Sequence, residues 1–352
     1  MDDRQLFEAA REGNDAALRS ALDADPSKLT IRDRPYAWTL LHVAAQRGHL
    51  GVVNLLLDRG LDVNTLETGD HTTALHWAAA AGHVDVVRRL LDAGVDPAGH
   101  GDDHELGAIG WASCWDGANT AAHYAIVQLL IERGARHHIF SAIAMNLADE
   151  VRRIVAEDRA ALGRPMSKFE DSRLPLHFAV HVNRPEMVGL LFALGANPFG
   201  TDGSGFPPAA YAMDVDADRQ LQELLRRGGY LDLFTALAVD DFLVAAEILR
   251  LEPESLSRDG ILHLMAKRGH VVAVKWLLVN GADANAIWTH WDADVTALHL
   301  AVMANHPDTV RALLNAGADP GITDSKHDSD AIGWAEFFGR RDLVAMLTSA
   351  RG

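Results

Sequence analysis

Residues 73–96 read T-A-L-H-W-A-A-A-A-G-H-V-D-V-V-R-R-L-L-D-A-G-V-D. A Thr opens the stretch, where its hydroxyl can satisfy free N–H groups at the start of a helix. An Ala-rich run follows, then Gly82-His83, then an apolar segment, V-V-R-R-L-L, with helical spacing. Gly94 suits a left-handed cap after the second helix. The stretch predicts two short helices joined by a turn. Neither is long enough to bury a core alone, so such a unit needs neighbours.

The neighbours are in the sequence. The opening word recurs as T-L-L-H at 39, L-P-L-H at 174, G-I-L-H at 260 and T-A-L-H at 296. Gly-His or a relative follows as Gly48-His49, Gly269-His270 and Asn305-His306, and Gly-x-Asp or Gly-x-Asn closes units at Gly60, Gly195, Gly281 and Gly317. Weaker copies fill the gaps, with A-I-G-W-A at 108 and 331, P-A-A-Y-A after Pro207, and L-F-x-A or I-F-x-A at Leu6, Ile139 and Leu233. The starts at 6, 39, 73, 108, 139, 174, 207, 233, 260, 296 and 331 define eleven units over the 352 residues.

This pattern resembles the ankyrin repeat, T-P-L-H-x-A with a period of about 33 residues. The resemblance covers nearly the whole chain. It implies an all-α ankyrin-repeat solenoid of stacked helix pairs, with β-hairpin or loop fingers between units. It also implies that His42, His76, His177, His263 and His299 brace the fingers by hydrogen bonds. The Gly-His histidines, such as His49 and His83, are read as structural too. Ankyrin arrays mostly bind other proteins through their fingers and concave helix face, so the resemblance implies a protein partner.

A longer period overlies the short one. T-A-L-H at 73 and A-I-G-W-A at 108 each return 223 residues later. Leu22, Asp25, Pro26 and Leu29 match Leu249, Glu252, Pro253 and Leu256, with a third copy at Val155, Asp158, Arg159 and Leu162. The expectation is a single array over 1–352 made of three blocks, 1–138, 139–232 and 233–352. Three places break the period: extra residues around Asp116–Thr120, a long finger before Leu174, and a Gly- and Pro-rich finger from Asn197 to Pro208. Such insertions fall in loops, often on a binding face.

Composition narrows the function classes. The net charge of −17 opposes binding to nucleic-acid phosphate and to anionic lipid, and favours a partner with a basic or mixed surface. No apolar run is long enough to span a bilayer. The start, M-D-D-R-Q-L-F, is not a secretory signal. One cysteine, Cys114, excludes an internal disulfide. The expectation is a monomer in the cytoplasm that requires no cofactor.

Of eighteen histidines, nine stand outside the two structural words. Several lie in fingers beside acids, at Asp70-His71, Asp102-Asp103-His104-Glu105, His290-Trp291-Asp292 and His327-Asp328. Imidazole beside carboxylate suits proton exchange or a divalent metal, so His71, Asp103 and His104 are the candidates for catalysis. Solvated turn residues are the other reading of the same cluster. Changing His104 to Ala is expected to leave stability nearly unchanged while weakening whatever binding exists. Trp77, Trp111, Phe178, Tyr211 and Trp334 occupy one repeat position, directly after the His or its replacement. In ankyrin arrays that position lies toward the concave face, and stiff aromatics are favoured at contact surfaces. Packing between repeats is the alternative. The candidate binding set is Trp77, Trp111, Phe178, Tyr211, Asp70, His71, Asp102, Asp103, His104 and Glu105. Two functions remain open: a non-catalytic module for a protein partner, or an enzyme acting on a polar small molecule such as a sugar or an acid.

Overall fold

A computed structural model describes residues 1–115, 120–203, 206–214, 232–257, 260–290 and 293–351. The chain falls into two compact units, Met1–Asn197 and Pro198–Gly352. These boundaries differ from the three sequence blocks: blocks record repeated words, whereas units record where side chains pack.

The first unit holds six helix pairs. They run from Asp3–Glu12 with Asp15–Ala24, through Leu40–Arg47 with Leu50–Asp58 and Ala74–Ala80 with Val84–Asp92, to Pro175–His181 with Pro185–Leu194. The second unit holds four complete pairs among the described residues, beginning with Leu233–Ala238 and Phe242–Leu251 and ending with Ala331–Phe337 and Arg341–Arg351. Pro208–Asp214 is the first helix of the unit that starts near 207, and residues 215–231 lie outside the description. The extra residues Asp116–Asn119 lie outside it as well. The β-hairpin form of finger occurs once among the described residues, where Ile287–His290 pairs antiparallel with Ala293–Thr296 in the register Trp288↔Val295. Most other fingers are built from turns.

The repeated words do identifiable work. In T-L-L-H, the Thr39 N–H donates to His42 Nδ1 at 3.2 Å. The other ring nitrogen, Nε2, then carries the proton and donates to the Thr72 carbonyl of the next finger at 3.2 Å. His76 repeats this with Thr73 and the Gly99 carbonyl, and His299 with Thr296 and the Ser329 carbonyl. One imidazole thus closes a helix N-terminus and fixes the following finger. Changing His76 to Ala leaves buried backbone groups without partners, and a loss of about 1–3 kcal/mol is expected in urea denaturation.

The Gly-His word ties successive repeats. Gly48 ends its helix at φ +77°, and a Cβ there would stand 2.6 Å from the His83 ring of the next repeat. That ring reaches over the glycine to the Gln46 carbonyl at 3.0 Å. His49 does the same over Gly13, and His123 over Gly82, reaching the Ala80 carbonyl at 3.0 Å. His123 therefore belongs to the structural set, although the longer connection before it hides the word. The second helices bury Val52, Val53, Leu55 and Leu56, then Val86, Val87, Leu90 and Leu91, with Val52, Val53 and Leu56 equivalent to Val86, Val87 and Leu90. Along their outer ends Arg59 meets Asp23, Arg89 meets Asp58 and Arg133 meets Asp92. The phrase repeated at 25, 158 and 252 forms a 3₁₀ turn each time, at Pro26–Thr30, Arg159–Gly163 and Pro253–Ser257.

Candidate functional site

The finger of residues 102–105 is organised by one carboxylate. Asp102 is 3% exposed. Its oxygens accept from the backbone N–H of His104 at 3.1 Å, Leu106 at 3.3 Å and Gly107 at 2.8 Å, and from the Trp111 indole N–H at 3.2 Å. The same clamp recurs twice in the second unit. Asp324 accepts from Lys326, His327, Ser329 and the Trp334 indole, and Asp202 accepts from Phe206 and the Tyr211 hydroxyl at 2.8 Å. Despite burial, these hydrogen bonds hold the Asp324 carboxyl down at about 2. An acid nine or ten residues before an aromatic is the readable signal. It assigns Asp102, Trp111 and Tyr211 to holding their fingers.

This corrects part of the expected binding set. Trp111 is 4% exposed, and Phe178 is 1% exposed with its ring edge-on to Phe140 at 5.6 Å. Both are core between repeats, because first helices stack closely enough to enclose a ring at that position. Asp102 is likewise buried rather than a rim residue. Tyr211 lies in the second unit, half-buried.

The remaining candidates do converge. Consecutive fingers of the first unit are joined in a strip. The Thr68 N–H donates to the Tyr36 carbonyl at 2.7 Å, and the Asp103 N–H donates to the Asp70 carbonyl at 2.9 Å. His71 Nδ1 lies 2.9 Å from Asp103 Oδ1 across the second of these joints. His104 Nδ1 meets Glu170 Oε1 at 2.5 Å, and Nε2 lies 3.5 Å from Asp70 Oδ1. The repeat starting near 139 has no finger of its own, since Gly134 is followed at Ile139 by the next helix. The long finger before Leu174 spans that gap, which is how Glu170 reaches His104 from two repeats away.

The His104 ring sits among aromatics. It stands edge-on to Trp111 at 5.5 Å and to Trp115 at 5.1 Å, and is tilted against Phe169 at 5.2 Å. The line continues from Trp111 to Trp77 at 5.1 Å and from Trp77 to Trp38 at 4.5 Å. Glu170 also accepts from the Ser167 hydroxyl. Burial works to lower the His104 pKa, but the Glu170 hydrogen bond, the Glu170 and Asp70 charges and the Asp70 hydrogen bond outweigh it and hold the pKa above the ordinary value. His104 is thus a fastened, mostly buried group, contrary to the expectation of a solvated turn residue. Its counterpart His327 is 62% exposed and faces Asp324 at 3.3 Å.

Asp70, His71, Asp103 and Glu105 remain accessible at this edge. Glu105 is exposed and holds φ at +56°. Glu170, Phe169, Trp115 and Trp38 are members that local reading of the sequence missed. Trp291 and Asp292 lie outside the described residues, and His290 is 7% exposed beside Trp288. Among the described residues, no three His, Cys, Asp or Glu side chains are arranged to hold a metal ion. The Cys114 thiol is buried, which pushes its pKa up to about 12 and keeps it inert. No helix among the described residues is long and apolar enough to cross a membrane.

Known proteins share these repeats. The pattern described as ankyrin repeats in three copies matches residues 6–100 and 226–349. A many-copy ankyrin pattern matches 75–131, and a single ankyrin repeat matches 171–203. A probable E3 ubiquitin-protein ligase, XBOS31 of Oryza sativa, is 42% identical over 74 residues, covering 20% of this chain and 16% of the ligase. The B-cell lymphoma 3 protein homolog of Mus musculus is 30% identical over 174 residues, 44% of this chain and 38% of that protein. The putative ankyrin repeat protein FPV223 of Fowlpox virus is 29% identical over 125 residues, 32% of this chain and 89% of that protein. The chain therefore spans well under half the length of the ligase and of the mouse protein. Among solved structures, the human ASB11 ankyrin repeat domain aligns with 64% of this chain and 98% of its own, at 22% identity and a TM-score of 0.44. With the family pattern matched over more than half of its length, and with T-x-x-H and Gly-His imidazoles bracing one repeat against the next, the chain belongs to the ankyrin-repeat family.

Proposed function

We propose that this protein is a non-catalytic, cytoplasmic binding module that acts as a monomer. It grips a protein partner along the finger edge of the first unit. The observation that carries this reading is the joining of consecutive fingers, Tyr36 to Thr68, Asp70 to Asp103 and His104 to Glu170, into one preformed strip. A strip already rigid before contact loses little conformational entropy on binding. Its accessible groups, Asp70, His71, Asp103 and Glu105 beside half-buried Trp38 and Trp77, suit lysine or arginine side chains of a partner. Nucleic acid and anionic membrane are disfavoured by the net charge of −17. The competing reading, acid–base catalysis on a polar small molecule, meets an obstacle at His104, where each ring nitrogen already faces a carboxylate. A substrate would have to displace one of these carboxylates from the His104 ring.

The test is partner capture followed by titration with Asp70→Asn/Asp103→Asn. Affinity per folded molecule is expected to fall about tenfold, the scale of removing two accessible charges from an interface. Unchanged affinity in the folded double variant contradicts the reading.

A further inference from the structure

The three joints of the finger edge are not chemically alike. The first runs through a backbone amide, Thr68 N–H to Tyr36, and the second through Asp103 N–H to Asp70 with the His71–Asp103 side-chain contact beside it. The third runs through an imidazole. His104 reaches Glu170 of the finger at residues 166–173 on one nitrogen and Asp70 of the preceding finger on the other. A neutral imidazole has one N–H and serves one carboxylate as donor; an imidazolium has two and serves both. The surroundings favour the charged ring. Asp102 holds the backbone N–H of His104, and Asp103 is engaged with His71. The cation of Lys168 lies over the far finger's Phe169 ring at 5.0 Å, and Glu105 is exposed next to His104. The Cys114 thiol stays protonated, so it adds no charge.

The aromatic line beside His104 carries buried polar groups of its own. The indole N–H groups of Trp77 and Trp115 are both buried without a hydrogen-bond partner among the described residues. His104 supplies a charge-assisted contact to the finger at Glu170.

We propose that His104 is a proton-operated joint: its imidazolium fastens the finger of residues 166–173, through Glu170, to the preceding fingers at His104 and Asp70, and loss of the proton, which leaves one N–H for two carboxylates, loosens that finger. The direction follows from the raised pKa. Fastening is complete below the ordinary histidine value of about 6.5 and is lost as pH rises through the higher folded value. Loosening would expose the His104 ring, against which Phe169 and Glu170 now rest. That consequence for a partner rests on the reading of the finger edge given above; the joint does not, and its test uses the protein alone.

The measurement is amide hydrogen exchange of residues 164–173 at pH about 6 and about 8.5, corrected for intrinsic rates, alongside the NMR titration of His104. In the unchanged protein, opening at the higher pH is expected to be about tenfold greater, the scale of one charge-assisted hydrogen bond, while residues 33–38, which His104 does not touch, show no such change. His104→Gln should be open at both pH values. Glu170→Gln should lower the His104 pKa and flatten the response. Equal opening at both pH values, or an unmoved His104 titration in Glu170→Gln, overturns the proposal. A merely structural His104 would give a loosened variant with no pH response in the parent protein.

Discussion

Lowering the pH from 7 to 5 is expected to remove about 4 kcal/mol from the stability of the first unit. Burial pushes the pKa of His42 and of His138 down to about 4, against which the hydrogen bonds to the Thr72 and Leu106 carbonyls act only partly. Unfolded, each ring titrates near 6.5. A depressed folded pKa means stability that is present above the unfolded value and is lost as pH falls toward the folded one. At pH 5 each of the two histidines contributes a loss of about 2 kcal/mol. His76 and His137 are displaced in the same direction, chiefly by burial, and add to the slope. Ordinary carboxylates remain ionised at pH 5, so the effect belongs to imidazoles. Urea denaturation at the two pH values checks it, and His138→Gln should flatten the dependence. A stability unchanged between pH 7 and 5 contradicts the neutral, bridging role given to these rings. His104 moves oppositely, so acid tightens the finger joint while it loosens the repeats beneath.

The second large effect is expected at Asp102. Replacing it with Ala leaves the Trp111 indole and the His104, Leu106 and Gly107 amides without their acceptor in a buried place. A loss of about 3 kcal/mol is expected in chemical denaturation, because networked buried partners fail together. Asp324→Ala should cost less, since Trp334 is only half-buried. Equal and small losses at both positions would return Asp102 to the accessible rim.

The repeats were legible because each Thr, His and Gly does its work within one or two units of itself. Gly48 and His83 show this: the backbone needs φ +77° and the ring needs the space, so both residue types recur at a fixed distance. His123 escaped the same reading only because its connection is longer. The site was half legible. Asp70, His71, Asp103 and His104 announced themselves by polarity inside a finger. Burial was not visible there, because Asp102 and Asp103 are neighbours that point to opposite fates, one under four hydrogen bonds and one at the edge. Glu170 was out of reach of local reasoning. Its partner lies 66 residues away, and only the missing finger near 139 lets the two meet. Phe178 and Trp111 share a position with Trp77, yet stacking leaves only Trp77 partly open.

The most direct test of the account is the hydrogen-exchange footprint of the full chain with its captured partner. The account predicts that protection gathers on residues 33–38, 67–73, 102–105 and 166–173. Protection confined to the second helices at 50–58 and 84–92, or to the unit beyond residue 197, would contradict it.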